Sequence, residues 1–283
     1  MSSTPEIRAL FLDIDGTIVD RREIISPRVL FAIGQAREIG CEVVLSTGRT
    51  RYTAMPIVHQ IEPLPDYLIA SNGAIAMHLP TRNPIVRRLL PLPVATRMIR
   101  MLLDAGAEPY VFEDSVEDGE EAARVLYYPD RVPGHWATFP RYRPHSGLPD
   151  DLPFAPVSVS AFGTTAFLRP LVEQLRQALP NDVCVIESGS NDGSWNAEFY
   201  QAGVSKQTAI EVVTAHLGVS RENVMAVGDH RNDIEMIQWA GLGVAMGNAL
   251  PEVIAIADTV TGTYAEDGVA EAIERYVLNR SSL

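Results

Sequence analysis

The chain has 283 residues, 46% of them hydrophobic, enough for one large or two moderate globular units with a sizeable core. Its 23 basic and 36 acidic residues leave a formal charge of −13, which argues against nucleic acid or an anionic membrane as partner. No apolar run approaches the ~20 residues of a membrane-spanning helix, and MSSTPEIRALFLDIDG has no basic leader segment, so a cytoplasmic location is expected.

In chain order, Ile7–Ile14 reads as a nearly continuous apolar strand, the pattern of a parallel sheet buried on both faces. A helix should follow, with Ser26 as N-cap, Pro27 at its first position, Gly40 just past its end, and Val29, Leu30, Ile33 and Ala36 on one face. Cys41 and Cys184 lie in apolar runs without a second ligand at metal spacing and read as small buried hydrophobes. Next come a strand over Glu42–Thr47, a helix near 50–60 and a strand over Tyr67–Ser71. The alternation resumes late in the chain. Ser205 should cap a helix ending before Gly218, followed by strand Asn223–Gly228, helix 231–240, strand Gly241–Met246 and a closing helix over 267–279. Strands alternating with helices predict a doubly wound, Rossmann-like α/β core formed by residues 1–81 and 201–283.

Residues 82–200 differ. They are rich in proline and aromatics and carry an acidic run (Glu113, Asp114, Glu117, Asp118, Glu120, Glu121) that reads as a solvated loop. Helices over Val94–Ala105 and Pro170–Leu179 alternate with strands over Tyr110–Glu113, Val157–Ala161 and Val183–Glu187, predicting an inserted α+β unit.

The chemistry collects where core strands end. Asp13 and Asp15 are separated by one residue, a spacing that points two strand carboxylates the same way, and Gly16 lets the chain turn off sharply. Ligands of open α/β sheets bind beyond the carboxyl ends of strands. Ser46-Thr47-Gly48-Arg49 offers a hydroxyl and a glycine amide at the next strand end. Lys206 opens a helix, where the dipole disfavours a cation, so its position calls for another reason. Asp229 and Asp233 are four residues apart on a turn entering a helix and can face one point. Two like charges ~4 Å apart repel by about 4 kcal/mol at an effective dielectric near 20. Four carboxylates around a phosphate therefore need a hard divalent cation with oxygen ligands, the pattern of Mg²⁺, with Lys206 supplying further positive charge.

Asp13-x-Asp15-Gly-Thr, Thr47-Gly-Arg, Gly-Val-Ser-Lys206 and Gly-Asp229-x-x-Asn232-Asp233 resemble the four motifs of the haloacid dehalogenase superfamily. Their order, with a large α/β cap between the second and third, resembles its Cof-type phosphatase branch, as do Ser71-Asn72-Gly73-Ala74 and Met246-Gly247-Asn248-Ala249. Gln207 departs from that branch's usual glycine after the lysine. The resemblance implies that Asp13 is the nucleophile of an aspartyl-phosphate mechanism and Asp15 the acid and base. It implies that Thr47, Gly48, Lys206 and Asn232 hold phosphoryl oxygens. Mg²⁺ would take Asp13, the Asp15 backbone carbonyl, Asp229 and Asp233, the last directly or through water.

The implied activity is hydrolysis of a small phosphorylated metabolite, with sugar phosphates favoured. The presence of Asp15 argues against carbon–halogen cleavage. A phosphosugar mutase shares the same motifs, and a non-catalytic phosphometabolite sensor could dispense with Asp13 or Asp15. A receiver domain, whose phosphorylated aspartate belongs to a later strand of a shorter fold, is excluded. No P-loop occurs, and Gly241–Gly247 misses the dinucleotide fingerprint by one residue. Tyr127, Tyr128, His135, Trp136, Trp195 and Phe199 are candidates for either a specificity pocket or cap packing. Arg49, Arg141 and Arg143 could meet an anionic substrate or sit exposed, and His230 reads as a surface-loop residue. Oligomeric state is not readable.

Overall fold

The computed structural model describes residues 6–114, 124–128, 142–189 and 193–278. The chain divides into two compact units, Met1–Val86 with Ser205–Leu283, and Arg87–Val204. These divisions fall a few residues later than 81/82 and 200/201, because Asn83–Arg87 still belongs to the first sheet and Ser194–Gln201 is a full strand of the second.

The first unit contains β1 (Ala9–Leu12), α1 (Pro27–Glu38), β2 (Glu42–Ser46), α2 (Arg51–Val58), β3 (Tyr67–Ala70), β4 (Ile75–His78) and β5 (Asn83–Arg87). The second contains α3 (Leu92–Asp104), β6 (Pro109–Phe112), β7 (Val125–Tyr127), β8 (Tyr142–Pro144), β9 (Ser158–Thr164), α4 (Thr165–Ala178), β10 (Val183–Gly189) and β11 (Ser194–Gln201). The first resumes with α5 (Lys206–Leu217), β12 (Val224–Gly228), α6 (Ile234–Trp239), β13 (Leu242–Ala245), α7 (Pro251–Ile254), β14 (Thr259–Val260) and α8 (Gly268–Tyr276).

The first sheet runs in the order β14-β13-β12-β1-β2-β3-β4-β5. β1 pairs in parallel with both β2 and β12, and its four residues are all buried, as its unbroken apolar run requires. The chain builds outward from β1 through β2 and β3, then returns to its other side at β12. Strand order thus reverses at β1, and the loops after β1, β2 and β12 emerge side by side, the place where open α/β sheets bind ligands. Helices α1 and α5 match their sequence signals. Ser26 and Ser205 accept hydrogen bonds from Val29 and Thr208 amides, and Gly218 ends α5 in a left-handed conformation.

The second sheet, β10-β11-β9-β6-β7-β8, is antiparallel apart from the parallel pair β7–β8. Its core joins Ala95, Met98, Ile99 and Leu102 of α3 with Leu168, Leu171, Val172 and Leu175 of α4 and with Val111, Val159, Ala197 and Phe199 of the sheet. Two sequence expectations change here. Helix α4 begins at Thr165, so Pro170 lies inside it rather than at its first position. Burial of Leu168 on the same face as Leu171 and Leu175 outweighs the one hydrogen bond a proline forfeits. Asp114, assigned to a solvated acidic run, is buried, and Glu113 pairs with Arg124. Glu117, Asp118, Glu120 and Glu121 lie outside the described residues, as do His135, Trp136 and Arg141. Tyr128, Trp195 and Phe199 pack in the core of the second unit, and Tyr127 packs with Tyr110 and Val125.

Candidate active site

The loop after β1 begins with Asp13, whose amide bonds to Val227 O at 3.0 Å and whose carboxylate is buried. The chain then turns out of the sheet, with the Ile14 carbonyl accepting from the amides of Thr17, Ile18 and Val19. Gly16 makes this possible at φ +78, and a Cβ there would strike the carboxylate of Asp229.

Lys206, the first residue of α5, reaches into the same space. Its Nζ lies 2.6 Å from Asp13 Oδ1 and 2.5 Å from Asp233 Oδ1. Lys206 is 1% exposed, Asp233 0% and Asp13 5%, so these charges are withdrawn from bulk water. Two carboxylates therefore supply the reason for a cation at a helix start. Asp233 Oδ2 accepts from the amides of Asp229 and His230, both at 3.0 Å, which ties the loop after β12 around it. Half-buried Asp229 accepts from Thr17 Oγ1 at 3.4 Å. Oxygens of Asp13, Asp229 and Asp233 all lie within 4.8 Å of one another.

Three carboxylates face one ammonium here, and the site is short of positive charge. Burial holds the Asp13 carboxyl well above its usual range, with Asp233 and Asp229 adding to the effect against the pull of Lys206. Burial and the neighbouring Asp233 charge raise Asp229 to about 7. Burial alone would lower the Lys206 pKa, but Asp13 and Asp233 more than offset it and hold the ammonium charged. An all-oxygen donor set with net negative charge fits a hard divalent cation.

At the end of β2, buried Thr47 accepts from the Arg49 amide at 3.1 Å. The space beside Gly48 is narrow, since a side chain there would press on Asn72 and Asn232. Asn232 donates to Asn72 Oδ1 at 2.9 Å, bringing the loops after β3 and β12 together.

Asp15 does not join this cluster. Its carboxylate is 55% exposed and pairs with Arg49, so the strand-based expectation that Asp13 and Asp15 face one point is corrected. β1 ends at Leu12, before either residue, so the two-residue alternation of a strand no longer governs where Asp15 points. Arg49 correspondingly meets protein carboxylates, while Arg143 is exposed and donates to Tyr142 O. His230 is exposed. Cys41, its thiol pushed up to about 12 by burial, and Cys184 stand apart from the site as packing residues.

Two residues of the site were not singled out individually in the sequence. Asn72 is buried, adopts a left-handed φ of 55 and partners Asn232. Asn248 donates to Gly16 O at 2.8 Å, approaches Asp229 Oδ2 at 3.4 Å and accepts from the Tyr264 amide. Their signal was the resemblance of Ser71-Asn72-Gly73-Ala74 and Met246-Gly247-Asn248-Ala249 to segments of the Cof-type branch, which gave no role to either asparagine.

The first unit is thus a doubly wound α/β sheet with buried carboxylates and a lysine gathered at its switch point. The chain belongs to the haloacid dehalogenase-like hydrolase family, whose model matches residues 10–273, and it is a phosphatase of that family. It is 32% identical to a 5-amino-6-(5-phospho-D-ribitylamino)uracil phosphatase of Bacillus subtilis, across 96% of this chain and 97% of that one. It is 27% identical to a pyridoxal phosphate phosphatase of Escherichia coli, across 96% and 99%. A solved haloacid dehalogenase-like hydrolase from Bacteroides thetaiotaomicron superposes with a TM-score of 0.80 at 25% identity, covering 95% of this chain and 99% of that one. Among the described residues, no helix is long and apolar enough to cross a membrane.

Proposed function

We propose that the protein is a Mg²⁺-dependent hydrolase of small phosphomonoesters that works through a phosphorylated Asp13. The buried Asp13–Lys206–Asp233 array, with Asp229 beside it, carries this reading. Asp13 attacks phosphorus, and the ester oxygen departs with a proton from Asp15. Asp15 then takes a proton from the water that attacks the aspartyl-phosphate. Lys206, Thr47, the Gly48 amide and Asn232 hold the phosphoryl oxygens as charge moves between them. Lys206 also neutralises Asp13 and Asp233 and keeps the nucleophile aimed into the site.

Asp13, the Asp15 backbone carbonyl, Asp229 and Asp233 would hold the cation. When bound, it stabilises charge on the transferring group and aligns phosphate with nucleophile. The second unit, Arg87–Val204, acts as the cap that selects the substrate.

Relatives named for a phosphorylated ribitylamino compound and for pyridoxal phosphate support a small phosphorylated metabolite as substrate. A structural neighbour described as a sugar phosphatase supports the fold assignment at 24% identity. A phosphorylated sugar or sugar-alcohol chain is our favoured substrate. The test is phosphate release from a panel of small phosphomonoesters with Mg²⁺ and with chelator, for wild type and Asp13→Asn. We expect Mg²⁺-dependent turnover that the substitution abolishes. No turnover on any ester by folded, Mg²⁺-loaded protein would contradict the proposal.

A further inference from the structure

Ser71, Asn72 and Gly73 form a turn directly after β3. Ser71 and Asn72 have φ of 50 and 55, left-handed values that residues with a side chain seldom adopt, and they do so in succession. Both are buried. The turn is tied to the loop after β2, since the Ser71 amide donates to Arg49 O at 2.7 Å and the Asn72 amide to Thr47 O at 3.1 Å. It also lies against the start of α5, where a Cβ at Gly73 would overlap the carbonyl of Ser205, the residue before Lys206. The Asn72 side chain reaches a third segment, its Oδ1 accepting from Asn232 Nδ2 at 2.9 Å.

These contacts join three separate stretches of chain. Thr47 and Gly48 belong to the loop after β2, Lys206 opens α5, and Asn232 lies in the loop after β12. Around the position a Gly48 Cβ would take stand Asn72 Oδ1 at 3.0 Å, Asn72 Nδ2 at 3.4 Å and Asn232 Nδ2 at 3.5 Å. The turn itself does not call for this amide. Its bonds to Thr47 and Arg49 come from main-chain N–H groups, and glycine would adopt a φ of 55 with less strain. Such strain persists where the surroundings hold it, and it clusters at functional sites. What the asparagine side chain adds is its hold on Asn232. The Asn232 nitrogen carries two hydrogens, of which Asn72 takes one and a phosphoryl oxygen can take the other. A turned-over Asn232 amide would set oxygen against Asn72 Oδ1, so the pair favours the donating orientation.

We propose that Asn72 is a positioning residue for phosphoryl binding, turning the Asn232 amide to donate and fixing it against the Thr47–Gly48 loop. This rests on the reading of Thr47, Gly48 and Asn232 as phosphate-holding groups. Asn72 acts through Asn232 rather than on the substrate. With one hydrogen engaged by Asn72, the second is oriented before the phosphoryl group arrives, and no amide rotation has to accompany the reaction. The main-chain bonds of the same turn keep the Thr47–Gly48 arm and the Asn232 arm at a fixed spacing.

The test is a double-mutant cycle on kcat for p-nitrophenyl phosphate with Mg²⁺, paired with calorimetric binding of inorganic phosphate. Asn232→Ala should lose about a hundredfold in kcat, as one donor to the phosphoryl group disappears. Asn72→Gly keeps the turn and its main-chain bonds and should lose about tenfold. The double variant should match Asn232→Ala within about twofold, because Asn72 acts only through Asn232, and phosphate affinity should follow the same pattern. Asn72→Asp keeps both the left-handed turn and an acceptor for Asn232. Its kcat should stay within about threefold of wild type while its charge raises KM about tenfold, and it carries the test if Asn72→Gly does not fold. Losses that multiply in the double variant, wild-type kcat in Asn72→Gly, or a tenfold kcat loss in Asn72→Asp with KM unchanged would each overturn the proposal. Multiplied losses would leave the reading of Asn232 standing, whereas wild-type kcat in Asn232→Ala would sink that reading and the proposal together. If no ester is turned over, the phosphate affinities of the four proteins complete the same cycle.

Discussion

The two units bury different things. The first encloses a lysine and two aspartates at the ends of parallel strands, whereas the second encloses mainly apolar side chains, with Asp114 its one charged residue among the described buried ones. Helix starts vary as well. Side chains of Ser26, Thr50 and Ser205 cap α1, α2 and α5, while α6, α7 and α8 of the same unit, like α3 and α4 of the second, start without a side-chain cap. The difference separates a unit that spends stability on opposed charges for chemistry from one held by amphipathic packing. Burying unpaired charge is costly, so such a cluster persists where its members compensate one another.

Lys206→Met probes that contrast most severely. Removing the ammonium leaves two buried carboxylates unpaired, with an expected cost of about 3–5 kcal/mol and a loss of about a hundredfold or more in kcat. Leu175→Ala in α4 should cost about 2–5 kcal/mol through its cavity. Mg²⁺ should restore part of the melting temperature of Lys206→Met and none of that of Leu175→Ala. Equal restoration in both would break the comparison.

Gly16→Ala comes next. The added methyl group meets Asp229 at a positive φ, so we expect weaker Mg²⁺ binding by titration, together with a loss of about 1–3 kcal/mol by denaturant unfolding. Unchanged metal affinity would show that the Asp229 position is not held by this turn.

The pH response is smaller and has a defined sign. Asp229 titrates at about 7 in the folded protein, above its ordinary value of 3.8, and Asp13 is raised as well. The neutral forms favour folding, so this contribution is full below about pH 4 and is lost as pH rises through about 7. Metal-free protein should therefore lose this stabilisation between about pH 4 and 7 by melting, while the stabilisation added by Mg²⁺ grows over the same interval. A Mg²⁺ effect independent of pH would contradict the assignment of these carboxylates as ligands.

The smallest effect separates the helix starts. Ser26→Ala should cost about 1 kcal/mol or more in denaturant unfolding, since it frees the Val29 amide and removes the bond that Ser26 Oγ donates to Asp267, whereas Thr164→Ala should be near neutral. Equal costs would mean that the Ser26 side chain adds nothing at the start of α1.

Much of the core could be read from sequence because its signals are local. Ser26-Pro27 and Ser205 with Gly218 mark helix ends, and buried parallel strands show as unbroken apolar runs. Lys206 was legible for the opposite reason, as a cation where a helix start disfavours one. The pairing of Arg49 with Asp15 and Glu23 was not legible, since it depends on how the chain leaves β1 and on Gln60, far along the sequence, donating to the Glu23 carbonyl. In the second unit, β11 alternates Trp195, Ala197 and Phe199 toward the core with Asn196 and Glu198 between them, a period-two pattern passed over among aromatic residues. Pro170 misled because a breaker residue outranked the apolar face on which it sits.

The central claim is that Asp13 becomes phosphorylated, and it can be measured directly. Wild-type protein mixed with Mg²⁺ and a turned-over ester, quenched in acid within the first turnover and digested, should carry a phosphoryl group on the peptide containing Asp13. Asp13→Asn should show neither the adduct nor turnover. Turnover without an adduct on that peptide, together with hydrolysis surviving in Asp13→Asn, would contradict the account.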